Sequence, residues 1–197
     1  MALIHPVILK VPESERQRKG RDLVIFLSRH ARNALTISAR KYGVSLPPGW
    51  PAKNDSGVPM PLDGLFWSIT HKPEFVAAVA GPEPVGIDIE KIRPFREGLQ
   101  DKVAAPDEWS LCGGFLPEQL FRYWTAKEAV LKAVGEGLKG LSRCRVVHIV
   151  DDRHLEIDFR NRRWSVEHFY CEDHVASVTV GDAAVEWGIG DMDATPR

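Results

Sequence analysis

The sequence predicts an α+β protein made of two similar α/β halves, residues 1–84 and 85–197, each a small antiparallel sheet packed on a long helix. Three observations carry that expectation. A strand, a helix and further strands follow one another twice along the chain, the second round ending in a run of strands. Glycine and proline cluster mainly between those stretches. Residues 74–81, Glu-Phe-Val-Ala-Ala-Val-Ala-Gly, also echo residues 173–181, Asp-His-Val-Ala-Ser-Val-Thr-Val-Gly, with one extra residue before the second glycine. Read as a duplication, the echo means two similar halves with a site in the cleft between them. Strand-forming runs also resemble one another by chance, and the echo alone leaves both readings open.

Element by element, residues 2–9 (ALIHPVIL) read as a first strand. Ser14 and Gln17 fit a capping box ahead of a basic helical region reaching Tyr42, which Gly20 can break in two. SLPPGWP and KNDSGVP are turn chemistry. FWSITHKPEFVAAVAG predicts two strands around a turn at Lys72–Pro73, and PVGIDIEKI adds another. Pro117 opens a second long helix, which Gly135, Gly137 and Gly140 end. RVVHIV, HLEIDFR, RWSVEHFYCE and HVASVTV then read as antiparallel strands.

The totals exclude several classes. Twenty-six Lys and Arg against 27 Asp and Glu give a net charge of −1, which argues against bulk nucleic-acid binding while leaving room for a local phosphate grip. Cys112, Cys144 and Cys171 are odd in number and form no C-x-x-C pair, so neither a disulfide framework nor a structural zinc site is expected. The opening MALIHPVILK lacks a basic n-region, and no run approaches the about 18 apolar residues of a membrane span. The expectation is a soluble, cytoplasmic protein with no membrane and no nucleic-acid partner.

The second helix breaks its own pattern. At about 100° per residue, Leu120, Phe121, Trp124, Leu131 and Val134 form an apolar stripe. Lys127 and Glu128 fall inside that stripe and Lys132 on its border. An exposed Glu128–Lys132 pair at i,i+4, worth about 0.3–0.5 kcal/mol, belongs on the polar face instead. Charges on an apolar stripe demand partners, because an unpaired buried charge costs several kcal/mol.

Val85-Gly-Ile-Asp-Ile-Glu90 alternates strictly, so Asp88 and Glu90 share one face of a strand, about 6.6 Å apart. At an effective dielectric near 20 their repulsion is about 2.5 kcal/mol. Solvent on an open edge can absorb it. So can a divalent cation: Mg²⁺ suits one or two protein carboxylates plus phosphate oxygens and water. Glu128 on the helix is a third acid that could converge on one ion.

Taken together, Val85–Glu90, then Trp124-Thr-Ala-Lys-Glu-Ala-Val-Leu-Lys132 with Gly137-Leu138, and Ser68-Ile-Thr-His71 upstream, resemble the ordered signature of the 4′-phosphopantetheinyl transferases, of the longer two-half type. The resemblance implies transfer of the phosphopantetheine arm of coenzyme A to a serine of an apo acyl or peptidyl carrier protein, releasing adenosine 3′,5′-bisphosphate. It implies Asp88, Glu90 and Glu128 as ligands of Mg²⁺, with Mn²⁺ the alternative. Glu128 would be the base and Lys132 a catalytic charge, with Thr70, His71, Lys127 and Lys132 binding coenzyme A. The resemblance also implies a monomer acting on coenzyme A and the carrier. One position departs: Gly57-Val58-Pro59 stands where the family often has a basic residue, and Val58 carries no charge for a phosphate. The basic residues Arg16, Arg18, Lys19, Arg21, Arg29 and Arg32 could reach a phosphate or simply line a solvated helix face. A catalytically silent coenzyme A or carrier-protein binding module, or a hydrolase using water as nucleophile, are the other readings.

Overall fold

Small residues let a helix lie close on a sheet, and the first 84 residues use that rule. The computed structural model describes residues 2–48, 50–54, 57–113 and 116–190. After β1 (Leu3–Ile4), β2 (Val7–Lys10) and the single turn α1 (Glu13–Arg16), α2 (Gly20–Lys41) buries Phe26, Leu27, Ala31, Ala34, Leu35 and Ala39 at helical spacing. Its stripe lies on β3 (Phe66–His71) and on β4 (Phe75–Gly81), whose Val76, Ala78 and Ala80 are fully buried in the same cluster. Two polar groups are stitched into the contact. His30 meets the Lys10 carbonyl at 3.1 Å, and the Ala80 N–H donates to Ser38 Oγ at 2.9 Å.

The expected capping box at Ser14 is not formed: Pro12 occupies the N-cap of α1, and no side chain caps it. Gly20, at φ +56°, separates α1 from α2 as expected, since that conformation is cheap only for glycine.

From β5 (Ile87–Lys91) the chain passes through two short helices, α3 (Leu99–Val103) and α4 (Pro106–Ser110), to α5 (Pro117–Ala133). Pro117 starts α5. Its end is a Schellman motif: Gly135 sits at φ +68°, its N–H donates to the Lys132 carbonyl at 3.1 Å, and the Glu136 N–H donates to the Leu131 carbonyl at 2.8 Å. A 3₁₀ turn follows (Leu138–Arg143), then β6 (Arg145–Ile149), β7 (His154–Phe159), β8 (Arg162–Cys171) and β9 (His174–Val180). The sheet order is β5-β9-β8-β7-β6, antiparallel throughout. Arg160 and Asn161, both at positive φ, make the tight β7–β8 turn. Leu120, Tyr123, Val130 and Leu131 of α5 pack with Val146, Leu155, Ile157 and Val166 of the sheet. Trp124, expected in that core, is only partly buried at its margin, so its truncation costs less than a full core deletion.

The chain divides at Pro84/Val85 into two compact units, and after Gly181 it returns to the first. There β10 (Ala184–Val185) pairs with β1 and β11 (Gly188–Gly190) with β2, both in parallel. The second unit is therefore Val85–Gly181, not the anticipated 85–197, and the first unit's sheet, β11-β2-β4-β3, is mixed rather than purely antiparallel. Backbone pairing at the sheet edge decides this, and the short segment 184–190 carries little strand signal of its own. Among the described residues no helix is long and apolar enough to cross a membrane.

Candidate active site

Gly86 explains how β5 and α5 come together. A Cβ at this position would lie 1.8 Å from the Ala129 carbonyl oxygen, so only glycine lets the start of β5 approach the helix so closely. Thr179 holds the glycine from β9, accepting its N–H at the hydroxyl (2.9 Å) while the Thr179 N–H donates to the Gly86 carbonyl (3.0 Å).

Two residues on, Asp88 is 4% exposed. The Lys132 ammonium lies 2.7 Å from Asp88 Oδ1 and 3.1 Å from the Ile87 carbonyl. A charge-assisted bond at a partly buried site is stronger than a surface pair of the same length, because less water competes. Thus Lys132, expected to face phosphate, holds the strand carboxylate across the β5–α5 contact. Glu128 lies one helical turn before Lys132 and is partly buried; Glu90 follows Asp88 at strand spacing on the same face and is also partly buried.

The expectation that Lys127 binds a phosphate is corrected. Lys127 is 1% exposed, with its ammonium 2.6 Å from Glu108 Oε1 and 2.7 Å from the Val103 carbonyl. Burial pulls its pKa below the ordinary lysine value, and the Glu108 carboxylate opposes that pull. Glu108 is fully used: Oε1 also accepts the Val146 N–H at 2.9 Å, and Oε2 accepts the Ala105 N–H at 2.9 Å. Trp109 stacks on Tyr123 at 4.9 Å, and the Tyr123 hydroxyl donates to the Glu108 carbonyl at 2.9 Å. Lys127 is therefore an internal ion-pair member that fastens α5 to α3 and α4. Sequence reasoning missed Glu108; the Pro106-Asp-Glu108 run, a helix start with an acid at its third residue, was the available signal.

Thr70, buried, and His71, exposed, end β3 in the first unit, opposite Ala77 and Val76 of β4. Val58 closes a small turn in that unit, its N–H donating to Asn54 Oδ1 at 2.9 Å. Three of the basic residues around α1 and α2 have local partners: Arg16 Nε donates to the Val11 carbonyl at 2.8 Å, Arg18 pairs with Glu15, and Arg32 donates to Ser28 Oγ at 2.6 Å. Just beyond β5, a cavity of about 610 Å³ is lined by Arg93, Phe95, Arg96, Leu99, Lys102 and Phe121, among others.

The metal expectation meets a mixed answer. Asp88, Glu90 and Glu128 are a hard, all-oxygen donor set of the kind Mg²⁺ and Mn²⁺ prefer, and the Lys132 ammonium already shows a cation seated on Asp88. Among the described residues, no group of three or more His, Cys, Asp or Glu side chains is placed to hold a metal ion. An ion at these residues would be bound by one or two carboxylates, with phosphate and water completing the shell.

Comparison with known proteins points the same way as the motifs. Residues 84–179 match the family model described as the 4′-phosphopantetheinyl transferase superfamily. The chain is 28% identical over 101 residues to a 4′-phosphopantetheinyl transferase of Bacillus subtilis, covering 49% of this chain and 45% of the relative. It is 36% identical over 90 residues to the 4′-phosphopantetheinyl transferase HetI of Nostoc sp., covering 42% and 38%. It is 31% identical over 141 residues to enterobactin synthase component D of Salmonella typhimurium, covering 68% and 56%. The chain thus spans from about two fifths to just over half the length of these relatives.

Proposed function

We propose, from the match of residues 84–179 to the 4′-phosphopantetheinyl transferase superfamily model, that this protein moves the phosphopantetheine arm of coenzyme A onto a serine of an apo acyl or peptidyl carrier protein. The observation that carries the reading furthest is the partly buried Asp88–Lys132 pair, set where Gly86 lets β5 touch α5.

In the proposed reaction the carrier serine Oγ attacks the β-phosphorus of coenzyme A. One phosphorus–oxygen bond forms, and the bond to the bridging oxygen breaks, releasing adenosine 3′,5′-bisphosphate. The serine proton passes to the Glu128 carboxylate, which sits on α5 one turn before Lys132. Lys132, already within reach of Asp88, balances charge as the leaving phosphate becomes more negative. Asp88 and Glu128, with Glu90 beside them, would hold Mg²⁺ or Mn²⁺, which when bound neutralises the pyrophosphate oxygens. Thr70 and His71 would take a phosphate of coenzyme A.

An acidic carrier fits the cavity beyond β5. Arg93, Arg96 and Lys102 line it against Glu97 alone, with Phe95, Leu99 and Phe121 supplying apolar contact. We also read the two units as a duplication. Each places a long helix on a sheet, and the echoing segments fall on β4 under α2 and on β9 under α5.

The test is incubation with coenzyme A, Mg²⁺ and a panel of apo carrier proteins, followed by intact-mass measurement. A gain of one phosphopantetheine on at least one carrier is expected. No gain on any carrier would defeat the reading.

A further inference from the structure

A row of buried polar side chains crosses the second unit's sheet, and the proposed reaction uses only its first member, Asp88. Asp88, Ser177 and His168 stand side by side on β5, β9 and β8, register partners in neighbouring strands and so on one face. Ser177 and His168 are 0% exposed, as is Thr125 of α5 above them. His168 Nδ1 lies 2.8 Å from Ser177 Oγ, which lies 2.6 Å from Thr125 Oγ1. Thr125 Oγ1 donates back to the Phe121 carbonyl at 2.9 Å and reaches the Arg122 carbonyl at 3.2 Å.

Counting protons sets the direction of the chain. Thr125 has one hydroxyl proton, and it goes to the helix carbonyls. Ser177 must then donate to Thr125, and His168 must donate to Ser177 from Nδ1. The opposite direction would put a proton on His168 Nε2, a buried atom with no hydrogen-bond partner among the described residues, and a buried N–H left bare is costly. His168 is thereby the neutral Nδ1–H tautomer. Burial holds its pKa well below that of a free histidine, with nearby Arg122 pushing the same way. All donors point along one chain, so each bond polarises the next.

Where the chain ends matters for the site. Thr125, Glu128 and Lys132 lie at i, i+3 and i+7, on one face of α5. Thr125 pins that face to Ser177, while Lys132, two turns on, pins it to Asp88, Ser177's cross-strand neighbour. Glu128 sits between the two pins. We infer that His168, Ser177 and Thr125 are positioning residues, a buried relay that fixes the Glu128–Lys132 turns of the helix against the strand bearing Asp88. The part of this that concerns turnover rests on the transferase reading; the positioning itself does not.

Two measurements on the full chain test it. The first is steady-state transfer with coenzyme A, Mg²⁺ and an apo carrier. Thr125→Val, nearly isosteric, is expected to lower kcat about tenfold or more with KM for coenzyme A within about twofold, whereas Thr125→Ser, which keeps the hydroxyl, stays within about twofold of wild type. Wild-type kcat in a folded Thr125→Val protein, or an equal loss in Thr125→Ser, would overturn the inference. The second needs no activity. Hydrogen exchange of the amides of residues 126–133 should quicken in both Thr125→Val and Ser177→Ala, while β6 and β7 stay unchanged, and nitrogen NMR of the wild type should find His168 as the neutral Nδ1–H form at pH 7. Unaltered exchange in both variants, or the Nε2–H form, would overturn it. A wild-type chain that modifies no carrier but gives the expected exchange and tautomer would sink the transferase reading and leave the relay standing.

Discussion

Helices α2 and α5 each cover the sheet of their own unit, yet they handle charge in opposite ways. On α2, Arg21, Asp22, Arg29, Arg32, Arg40 and Lys41 all face solvent, and the buried stripe is apolar except for His30 and Ser38, each tied to a backbone group. On α5, Arg122 and Lys127 are buried and Glu128 and Lys132 are half-buried. A helix that only packs keeps its charges outside. One that buries them must supply a partner for each, and α5 does so in two distinct manners. Lys127 finds its partner within the fold, at Glu108; Lys132 finds Asp88, at the contact where the proposed chemistry sits. The two lysines are five residues apart and share a helix, but one fastens the fold and the other belongs to the proposed site.

Substitutions can break that contrast, beginning with the largest effect. Asp88→Ala and Glu128→Ala are expected to abolish carrier modification, read by intact mass, while denaturant midpoints move little. Normal turnover by Asp88→Ala would remove that residue from the site. Lys127→Met should do the reverse. It leaves Glu108 buried without its cation and should cost about 3–5 kcal/mol of stability by urea unfolding. A loss under about 1 kcal/mol would mean that water reaches Glu108 in the folded protein.

Gly86→Ala comes next. Its methyl would press on the Ala129 carbonyl, so β5 must move off α5, costing about 1–3 kcal/mol and lowering transfer together. If stability falls and transfer does not, the β5–α5 spacing is irrelevant to the reaction.

Acid should also separate the units. His30 and His168 both have pKa values lowered by burial, so each favours the folded state above the ordinary histidine pKa of about 6.5 and loses that contribution as pH falls below it. His168, the more deeply buried, should make the second unit the more acid-sensitive, visible as earlier loss of exchange protection in β8 and β9 than in α2. The smallest effect belongs to the exposed face of α2, where Ile25→Lys should change stability by no more than about 0.5 kcal/mol in a thermal melt.

Much of the fold could be read from local signals. The break at Gly20, the start at Pro117, the stop at Gly135 and the strands from Arg145 to Val180 follow from backbone freedom and side-chain period, which need only near neighbours. The return of β10 and β11 to β1 and β2 did not announce itself. A strand of two or three residues has almost no periodicity, and its pairing is decided by which sheet edge lies open. Trp124 was misplaced for a related reason: a helical wheel marks a face, not where the neighbouring sheet ends.

That α5 carries charges on the wrong face and that β5 pairs two acids follows from the 3.6 and 2.0 periods, which depend on nothing beyond the local chain. Which partner each charge takes depends on how the elements pack in the folded unit. Lys127 went to Glu108 and Lys132 to Asp88 because Gly86 admits β5 to one side of the helix, while the short helix α4 carries Glu108 to another. His168, Ser177 and Thr125, far apart along the chain, acquired meaning only when strand register set them in a row. Register is a property of paired strands, and no single segment contains it.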